Sequence, residues 1–409
     1  MSTASLRSSL RRAFAEAVAG VDLRALTRDA LPPAPPVSGR VVLLAVGKAA
    51  PAMAAGALDR WGSRLDRALV VTTDRTDVAC LEGRAEVLRA AHPLPDERSV
   101  HAAERALSLV PKGRDDLLLA LVSGGASALL SAPPPGMSLD ELREINAALL
   151  ASGLPIQRIN LLRRHLSRTH GGRIALAAHP ARTITLYASD IPGGAPFEIG
   201  SGPTLASLPD LDGAREVLAG LFPPDRAAHF ARFLSPPLDA TSKEAAHLEA
   251  RAIATPTTLA EAVASRLRNE GFSVRVEGER TAPAELLVDE YAAAASTLTP
   301  RSALVVPCEP ALSTPASTGR GGRAGWLALA LLPRLAADVA FLAGASDGVD
   351  GVSGHAGACV GGDLAFDRDE VKRALASFDD APVHEALGTA LPGGPTGLNL
   401  TDVHVLARG

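Results

Sequence analysis

The run 117–130, LLLALVSGGASALL, combines residue types that suit the binding of a phosphate group. Six apolar residues lead directly into Ser123, Gly124, Gly125, Ala126 and Ser127, which is typical of a buried parallel strand that enters a tight turn. Glycine lets the backbone adopt positive φ and lets a ligand approach closely. A helix that begins near Ser127 would point free N–H groups and its positive end at a phosphate. The same residues also fit an ordinary strand-to-helix connection.

Three further polar clusters follow apolar runs. Gly47 and Lys48 follow residues 41–46, Ser189 and Asp190 follow residues 183–188, and Asp347 and Asp350 lie in the glycine-rich run 344–351. Because ligands of open α/β sheets bind beyond the carboxyl ends of the strands, these clusters predict one binding edge in each sheet. The Lys48 ammonium would lie over phosphate oxygens, and the three aspartates are candidate magnesium ligands or bases for phosphoryl transfer. A solvated lysine and turn-capping aspartates are the alternatives.

Arginines supply two more candidate anion sites. The run GRGGR at 319–323 places the guanidiniums of Arg320 and Arg323 beside permissive backbone, which suits a carboxylate or a phosphate, although a flexible basic loop has the same composition. Arg163 belongs to a predicted helix in which one basic residue is expected to face the site. The GxGxxA spacing from Gly319 to Ala324 follows a polar, proline-interrupted stretch, 311–318, and lacks the strand that a dinucleotide fingerprint requires. No P-loop or protein-kinase motif occurs.

Composition limits the class of protein. A chain of 409 residues with 47% hydrophobic and 21% charged residues predicts an enzyme of two domains with large cores. A net charge of -4 and 3% aromatic residues disfavour nucleic-acid binding. Three cysteines without a CxxC pair disfavour a zinc site or a disulfide framework and fit a cytoplasmic location. The chain lacks an apolar run of about 18 residues, so a membrane span is not expected.

Alternating apolar runs and helical patterns predict two doubly wound αβα domains. Four prolines between 223 and 237 suggest a boundary that divides the chain into domains 1–240 and 241–409. The predicted strands are 41–46, 69–73, 85–90, 117–122 and 183–188 in the first domain and 250–253, 273–277, 303–307, 339–343 and 403–406 in the second. A first helix is expected where Leu6, Leu10, Phe14 and Val18 recur every four residues.

Taken in order, these motifs resemble the glycerate 2-kinases that carry a MOFRL C-terminal domain after a DUF4147-like domain. The matching runs are VGKAAPAM (46–53), HPLPDERS (92–99), LVSGGASALL (121–130), RINLLRRHLS (158–167), SDIPGG and IGSGPT (189–204), GRGGR (319–323), SDGVDG (346–351) and GPTGLNLTD (394–402). They cover essentially the whole chain in the family's order and spacing. We therefore expect two Rossmann-like αβα domains with the active site in the cleft between them.

The resemblance implies a cytoplasmic, magnesium-dependent transfer of the ATP γ-phosphoryl group to the 2-hydroxyl of D-glycerate. The family's essential lysine falls on Lys48 and its essential arginine on Arg323, with Asp190 as a third catalytic candidate. Gly47 and the SGGAS turn would bind nucleotide phosphates, and Arg163, Asp347 and Arg320 would bind substrate. Asp190 and Asp347 are the implied Mg²⁺ ligands. Expected partners are small molecules only, with the protein a monomer or a homodimer.

The sequence differs from the family pattern directly after Arg323. The family usually continues with Asn-Gln-Glu, whereas Ala324, Gly325 and Trp326 stand here. The acceptor is therefore expected to be D-glycerate or a closely related small 2-hydroxy acid. Two alternatives stay open: a catalytically impaired paralogue that binds nucleotide or hydroxy acid, and a hydroxypyruvate reductase.

Overall fold

The computed structural model describes residues 1–312 and 319–409, and its contacts separate into two units. The N-terminal unit comprises residues 23–189 and 194–253, and the C-terminal unit comprises residues 1–22, 190–193 and 254–409.

The regular elements fall close to the sequence predictions. The strands are β1 Val41–Val46, β2 Arg67–Thr73, β3 Glu86–Ala90, β4 Leu117–Val122, β5 Arg182–Ala188, β6 Leu248–Ala254, β7 Ser273–Val276, β8 Arg280–Pro283, β9 Ser302–Ala311, β10 Val339–Ala345, β11 Gly357–Gly361 and β12 Asp402–Arg408. The helices are α1 Thr3–Gly20, α2 Leu23–Ala30, α3 Ala50–Trp61, α4 Glu97–Leu109, α5 Ala126–Leu129, α6 Leu139–Ala151, α7 Ile156–Leu166, α8 Arg173–Ala178, α9 Leu211–Leu221, α10 Pro224–Ala231, α11 Pro256–Asn269, α12 Ala284–Thr297, α13 Arg323–Leu331, α14 Arg368–Ser377 and α15 Asp380–Leu387.

The N-terminal unit is built on a six-stranded sheet in the order β3-β2-β1-β4-β5-β6. The pairs β3–β2, β2–β1, β1–β4 and β4–β5 are parallel. All six residues of β1 and of β4 are buried, as continuous apolar runs in a sheet covered on both faces should be. The register pairs Val46 with Val122, so the polar turns that follow these two strands begin side by side.

The C-terminal unit has a mixed sheet in the order β11-β10-β12-β9-β7, with β8 paired to β9. The last strand, β12, runs antiparallel between β9 and β10, whereas β7 and β9 are parallel. Helix α13 packs against β10 and β11 over a core that includes Leu327, Leu331, Phe341 and Val360.

The predicted fold class is confirmed: both units are α/β, and the N-terminal sheet has the expected parallel winding. Three features differ from the sequence-based expectations. The strand predicted at 250–253 is β6, which joins the first sheet and does not start the second one. Helix α1 belongs to the C-terminal unit because Leu6, Leu10 and Phe14 are buried where α1 packs on α11 and β10. The division after residue 253 lies 13 residues beyond the predicted boundary at 240/241.

Within the described residues, the helices are too short or too polar to cross a membrane.

Candidate functional site

The turns after β1 and β4 are joined by main-chain hydrogen bonds. The N–H of Ser123 donates to the carbonyl of Val46 at 3.0 Å, and the N–H of Lys48 donates to the carbonyl of Gly124 at 2.9 Å. The Ser123 hydroxyl accepts the N–H of Ala49 at 3.1 Å. These bonds fix the start of the Lys48 side chain beside the SGGAS turn, as the aligned strand ends dictate.

Gly47 is required at this junction by its conformation and by its neighbours. Its φ is +127°, which L residues with a side chain rarely adopt. A Cβ at this position would lie 2.2 Å from the Ser123 hydroxyl and 2.6 Å from the Ser123 carbonyl oxygen. Gly47 therefore allows the two turns to touch, and the phosphate-binding role predicted for it stays a prediction.

The SGGAS turn offers main-chain donors. Gly125 lies at φ +89°, and among the described residues no carbonyl or side chain accepts a hydrogen bond from the N–H of Gly124 or of Gly125. Consecutive N–H groups around a left-handed residue form a concave anion-binding surface. The helix expected near Ser127 begins at Ala126 but is only four residues long, so its dipole adds little. The turn suits a phosphate or a carboxylate through its N–H groups.

A chain of hydrogen bonds between hydroxyl and amide groups holds the Ser127 end of this turn. The hydroxyls of Ser127 and Ser201 are 2.8 Å apart, and Ser201 donates to the side-chain oxygen of Asn160 at 3.0 Å. Asn160 in turn donates to the carbonyl of Glu198 at 3.0 Å. Because Ser201 and Asn160 are buried, this network anchors the loop after β5 to the turn after β4.

The side chains of Lys48 and His92 lie next to Gly125. A Cβ placed on Gly125 would lie 3.3 Å from Cγ of Lys48 and 3.4 Å from Cδ2 of His92. His92 is exposed to solvent, yet its crowded surroundings lower its pKa to about 4, and the positive charges of Lys48 and Arg163 add to this effect. The imidazole is therefore neutral at physiological pH.

Arg163 brings a second cation to the same part of the N-terminal unit. Its Nε donates to the side-chain oxygen of Asn146 at 2.9 Å, and burial lowers its pKa to about 10, which leaves it charged at neutral pH. Within the described residues, carboxylates lie beyond ion-pair distance of both Arg163 and Lys48. An enclosed cation without a counter-charge is costly unless an anion arrives, so this region is suited to anionic ligands.

The predicted arginines of GRGGR are engaged by carboxylates in the C-terminal unit. Arg323, the first residue of α13, donates from Nε to Asp402 at 2.9 Å and also pairs with Glu309. Burial alone would lower the pKa of Arg323, but the charges of Asp402 and Glu309 outweigh it and raise that pKa. Arg320 instead pairs with Glu385 at 2.6 Å. The two guanidiniums thus serve different partners and do not form one clamp.

Carboxylates also fill the space beside the glycines of this turn. A Cβ on Gly321 would lie 2.2 Å from Asp380, and one on Gly322 would lie 2.1 Å from the carboxyl carbon of Asp350. Asp350 accepts the N–H groups of Ala324 and Gly325 at 3.0 and 2.8 Å, so this candidate base or metal ligand is a buried cap of α13. Two acidic side chains thus line these glycines, and the anion site predicted for the turn stays a prediction.

The two candidate metal ligands both lie in the C-terminal unit. Asp190 accepts the side-chain N–H of Asn399 at 2.7 Å, and Asp347 accepts the N–H of Val349 at 3.0 Å. Clusters of three metal-ligating side chains are absent from the described residues. Mg²⁺ bound with nucleotide commonly takes only one or two carboxylates together with phosphate oxygens and water, so each carboxylate has the chemistry of such a ligand.

The altered run after Arg323 packs into the protein interior. Ala324 is fully buried, and a Cβ on Gly325 would lie 2.2 Å from the carboxylate oxygen of Asp380. The indole N–H of Trp326 donates to the carbonyl of Leu375 at 3.1 Å, and its ring packs on the core of the C-terminal unit. Trp326 therefore packs against α14 with its side chain half-buried.

The structure thus joins Lys48, Gly47 and the SGGAS turn directly and brings the charge of Arg163 near them. The roles assigned to all of the site residues stay predictions, as does the cleft between the domains. Sequence reasoning did not single out His92 or Asp402. His92 follows β3 at its carboxyl end, the same signal that identified Lys48, and Asp402 ends the GPTGLNLTD run.

Comparison with known proteins gives two family matches and full-length relatives. Residues 9–228 match the model described as a domain of unknown function, DUF4147, and residues 302–402 match the MOFRL family. A protein of Agrobacterium vitis that carries the provisional name hydroxypyruvate reductase is 37% identical over 99% of this chain and 95% of its own. The D-glycerate 2-kinase of Thermotoga maritima is 30% identical over 89% of each chain. The crystal structure of a Thermotoga maritima glycerate kinase superposes with a TM-score of 0.86 at 27% identity, covering 99% of this chain and 100% of that one.

Proposed function

Because the chain belongs to the DUF4147–MOFRL family, whose members include glycerate 2-kinases, we propose that it is an ATP-dependent kinase. The proposed reaction transfers the γ-phosphoryl group of ATP to the 2-hydroxyl of D-glycerate and yields 2-phosphoglycerate and ADP. A closely related small 2-hydroxy acid is the alternative acceptor. The cytoplasmic location and the monomeric or homodimeric state stay predictions.

The observation that carries this proposal is a pair of cations in the N-terminal unit that lack carboxylate partners among the described residues. Lys48 and Arg163 remain without carboxylate partners in the described part of the chain, while the N–H groups of Gly124 and Gly125 lack acceptors beside Lys48. Both the phosphoryl donor and the acceptor of a glycerate kinase are anionic. Positive groups fixed before the reaction stabilise the charge on a transferring phosphoryl group at little cost of reorganisation.

Each predicted residue has a role in the proposed reaction. Lys48 and the turn donors hold phosphate oxygens, and Arg163 holds an anionic group of the substrate. For Arg323 we propose a charge-stabilising role, with Asp402 and Glu309 fixing its guanidinium. Mg²⁺, held by Asp190 or Asp347 together with ATP, would supply charge neutralisation of the phosphates.

A hydroxypyruvate reductase is the second candidate because a 37% identical relative bears that provisional name. The GxGxxA run from Gly319 to Ala324 gives it little support. Gly321 and Gly322 face carboxylates, and residues 313–318, which were not expected to form a strand, lie outside the described residues. An impaired paralogue is the third candidate; the altered run that motivated it packs against the core, and Arg323 is paired with Asp402.

One assay set separates these three candidates. Purified protein is supplied with Mg-ATP and either D-glycerate, L-glycerate, lactate, glycolate or tartronate, and ADP and phosphorylated product are measured. We expect turnover with D-glycerate and a background rate without an acceptor. Oxidation of NADH or NADPH by hydroxypyruvate without ADP formation would favour the reductase. Nucleotide binding without either reaction would favour the impaired paralogue and contradict the kinase proposal.

A further inference from the structure

We propose that His92 positions the acceptor by hydrogen bonding to the 2-hydroxyl of the bound 2-hydroxy acid, beside Lys48. This inference rests on the proposed kinase function and adds to it a residue that recognises the reacting hydroxyl. No proton transfer is assigned to His92, and its role is to orient the acceptor oxygen.

The gap above Gly125 is the geometric basis of the proposal. The missing side chain leaves a space with Cγ of Lys48 on one side and the imidazole of His92 on the other, since a Cβ there would lie 3.3 Å from Lys48 and 3.6 Å from Nε2 of His92. These distances show that the Lys48 chain and the imidazole of His92 converge over Gly125, so that a side chain at this position would crowd them. The floor of the gap is the SGGAS turn, whose N–H groups lack acceptors among the described residues.

The loop that carries His92 is held in place. It follows β3 and ends at Asp96, which accepts the N–H groups of Arg98 and Ser99 at 3.1 Å as the cap of α4. The N–H of Ala91 also reaches Asp96 at 3.4 Å, and Arg98 bridges Asp96 to Asp74 at 2.7 and 2.8 Å. An imidazole on a braced loop loses little freedom when it binds a ligand.

His92 makes no hydrogen bond through its ring within the described residues, so both nitrogens are available. Desolvation of the ring lowers the pKa of His92, and the adjacent positive charges of Lys48 and Arg163 lower it further. A neutral imidazole has one acceptor nitrogen, which suits the hydrogen of a hydroxyl. The two cations are the better partners for the carboxylate and the phosphate, which leaves the hydroxyl for His92.

A comparison of acceptor and analogue tests this assignment. His92→Ala should raise the KM for D-glycerate by about tenfold or more while the KM for ATP changes less than twofold, as expected for the loss of one hydrogen bond. His92→Asn, which keeps an acceptor and a donor, should recover most of the loss. The inhibition constant of 3-hydroxypropanoate, which is glycerate without its 2-hydroxyl, should be the same in the wild type and His92→Ala. The matched control is His101→Ala, at an exposed histidine on α4, and it should leave the KM for D-glycerate and the KM for ATP unchanged.

Calorimetric titration with D-glycerate tests the role of His92 separately from the kinase proposal, because it measures binding without phosphoryl transfer. A wild type that binds D-glycerate but transfers no phosphoryl group would contradict the kinase proposal, and the binding constants of the variants would still decide the role of His92. An unchanged affinity for D-glycerate in His92→Ala, or an equal loss for 3-hydroxypropanoate, would overturn the assignment to the hydroxyl. Failure of the wild type to bind D-glycerate would overturn both.

Discussion

The main-chain N–H of Lys48 donates a 2.9 Å hydrogen bond to the carbonyl of Gly124. This bond links the turn after β1 to the turn after β4 and places the lysine beside the N–H groups of the SGGAS turn. The position of Lys48 is thus set by its backbone, and the ammonium group itself makes no ion pair among the described residues. Its removal should affect ligands much more than folding.

Lys48→Ala is therefore expected to retain the stability of the wild type and lose most activity. Loss of one preorganised cation from a phosphoryl-transfer site should lower kcat by about 10²–10³-fold. The measurement is ADP formation at saturating substrates, with the melting temperature of each protein. Lys112→Ala, at an exposed lysine of the same unit, is the control and should leave both unchanged. A Lys48→Ala enzyme with near-normal kcat would remove this residue from the proposed chemistry.

Gly47→Ala should destabilise the protein severely. The added Cβ would lie within 2.6 Å of both the hydroxyl and the carbonyl oxygen of Ser123, at a φ that alanine disfavours, and about 2–4 kcal/mol of unfolding free energy should be lost. Gly220→Ala in α9 is the matched control, because no atom lies near its added Cβ, and it should be neutral or stabilising by up to about 1 kcal/mol. The free energy of unfolding of both variants is measured by urea denaturation. Equal stability of the two would show that the junction tolerates a side chain.

Local sequence patterns predicted most strands because β1, β4 and β10 are short apolar runs that end in glycine or polar residues. They did not predict the mixed second sheet. The insertion of β12 between β9 and β10 depends on pairing with strands about 60 and 100 residues away, which a local pattern does not encode. β11 was missed because Gly357–Gly361 consists of small residues with a weak strand pattern.

The candidate site was predictable to a similar degree. The rule that ligands bind at strand ends identified Lys48, the SGGAS turn and Asp190, because each directly follows a predicted strand. The partners of Arg323 were not predictable, since Asp402 is 79 residues away. It meets Arg323 because β12 pairs with β10, on which α13 packs. The same limit applies to His92, whose approach to Gly125 depends on the loop between β3 and α4.

Trp326→Phe should reduce stability and leave the kinetics unchanged. The indole of Trp326 donates to the carbonyl of Leu375, so its loss should cost about 1–2 kcal/mol of unfolding free energy. The KM for the acceptor should stay within twofold of the wild type. Trp61→Phe in the N-terminal unit is the matched control, because the Trp61 indole likewise donates to a backbone carbonyl, that of Pro32, at 2.9 Å. A change of acceptor KM in Trp326→Phe alone would indicate that this position contacts the substrate.

Asp380 should make the stability of the protein depend on pH. Burial, together with the charge of Asp350, raises the pKa of Asp380 to about 7, and one of its carboxylate oxygens lacks a hydrogen-bond partner in the described residues. The folded state therefore holds a proton that the unfolded state releases near pH 4. This contribution to stability is complete below about pH 4 and is lost as the pH rises through about 7.

Asp380→Asn isolates this contribution, because asparagine keeps an oxygen for the N–H of Gly322, at 3.2 Å in the wild type, and cannot ionise. Urea unfolding between pH 5 and pH 8 should show the wild type losing roughly 2–4 kcal/mol relative to this variant as the pH rises. Asp212→Asn, at an exposed aspartate on α9, should show the same dependence of the unfolding free energy on pH as the wild type. The same pH dependence for Asp380→Asn as well would mean that Asp380 is already ionised at pH 5, and that Gly322 and its other neighbours stabilise the charged form.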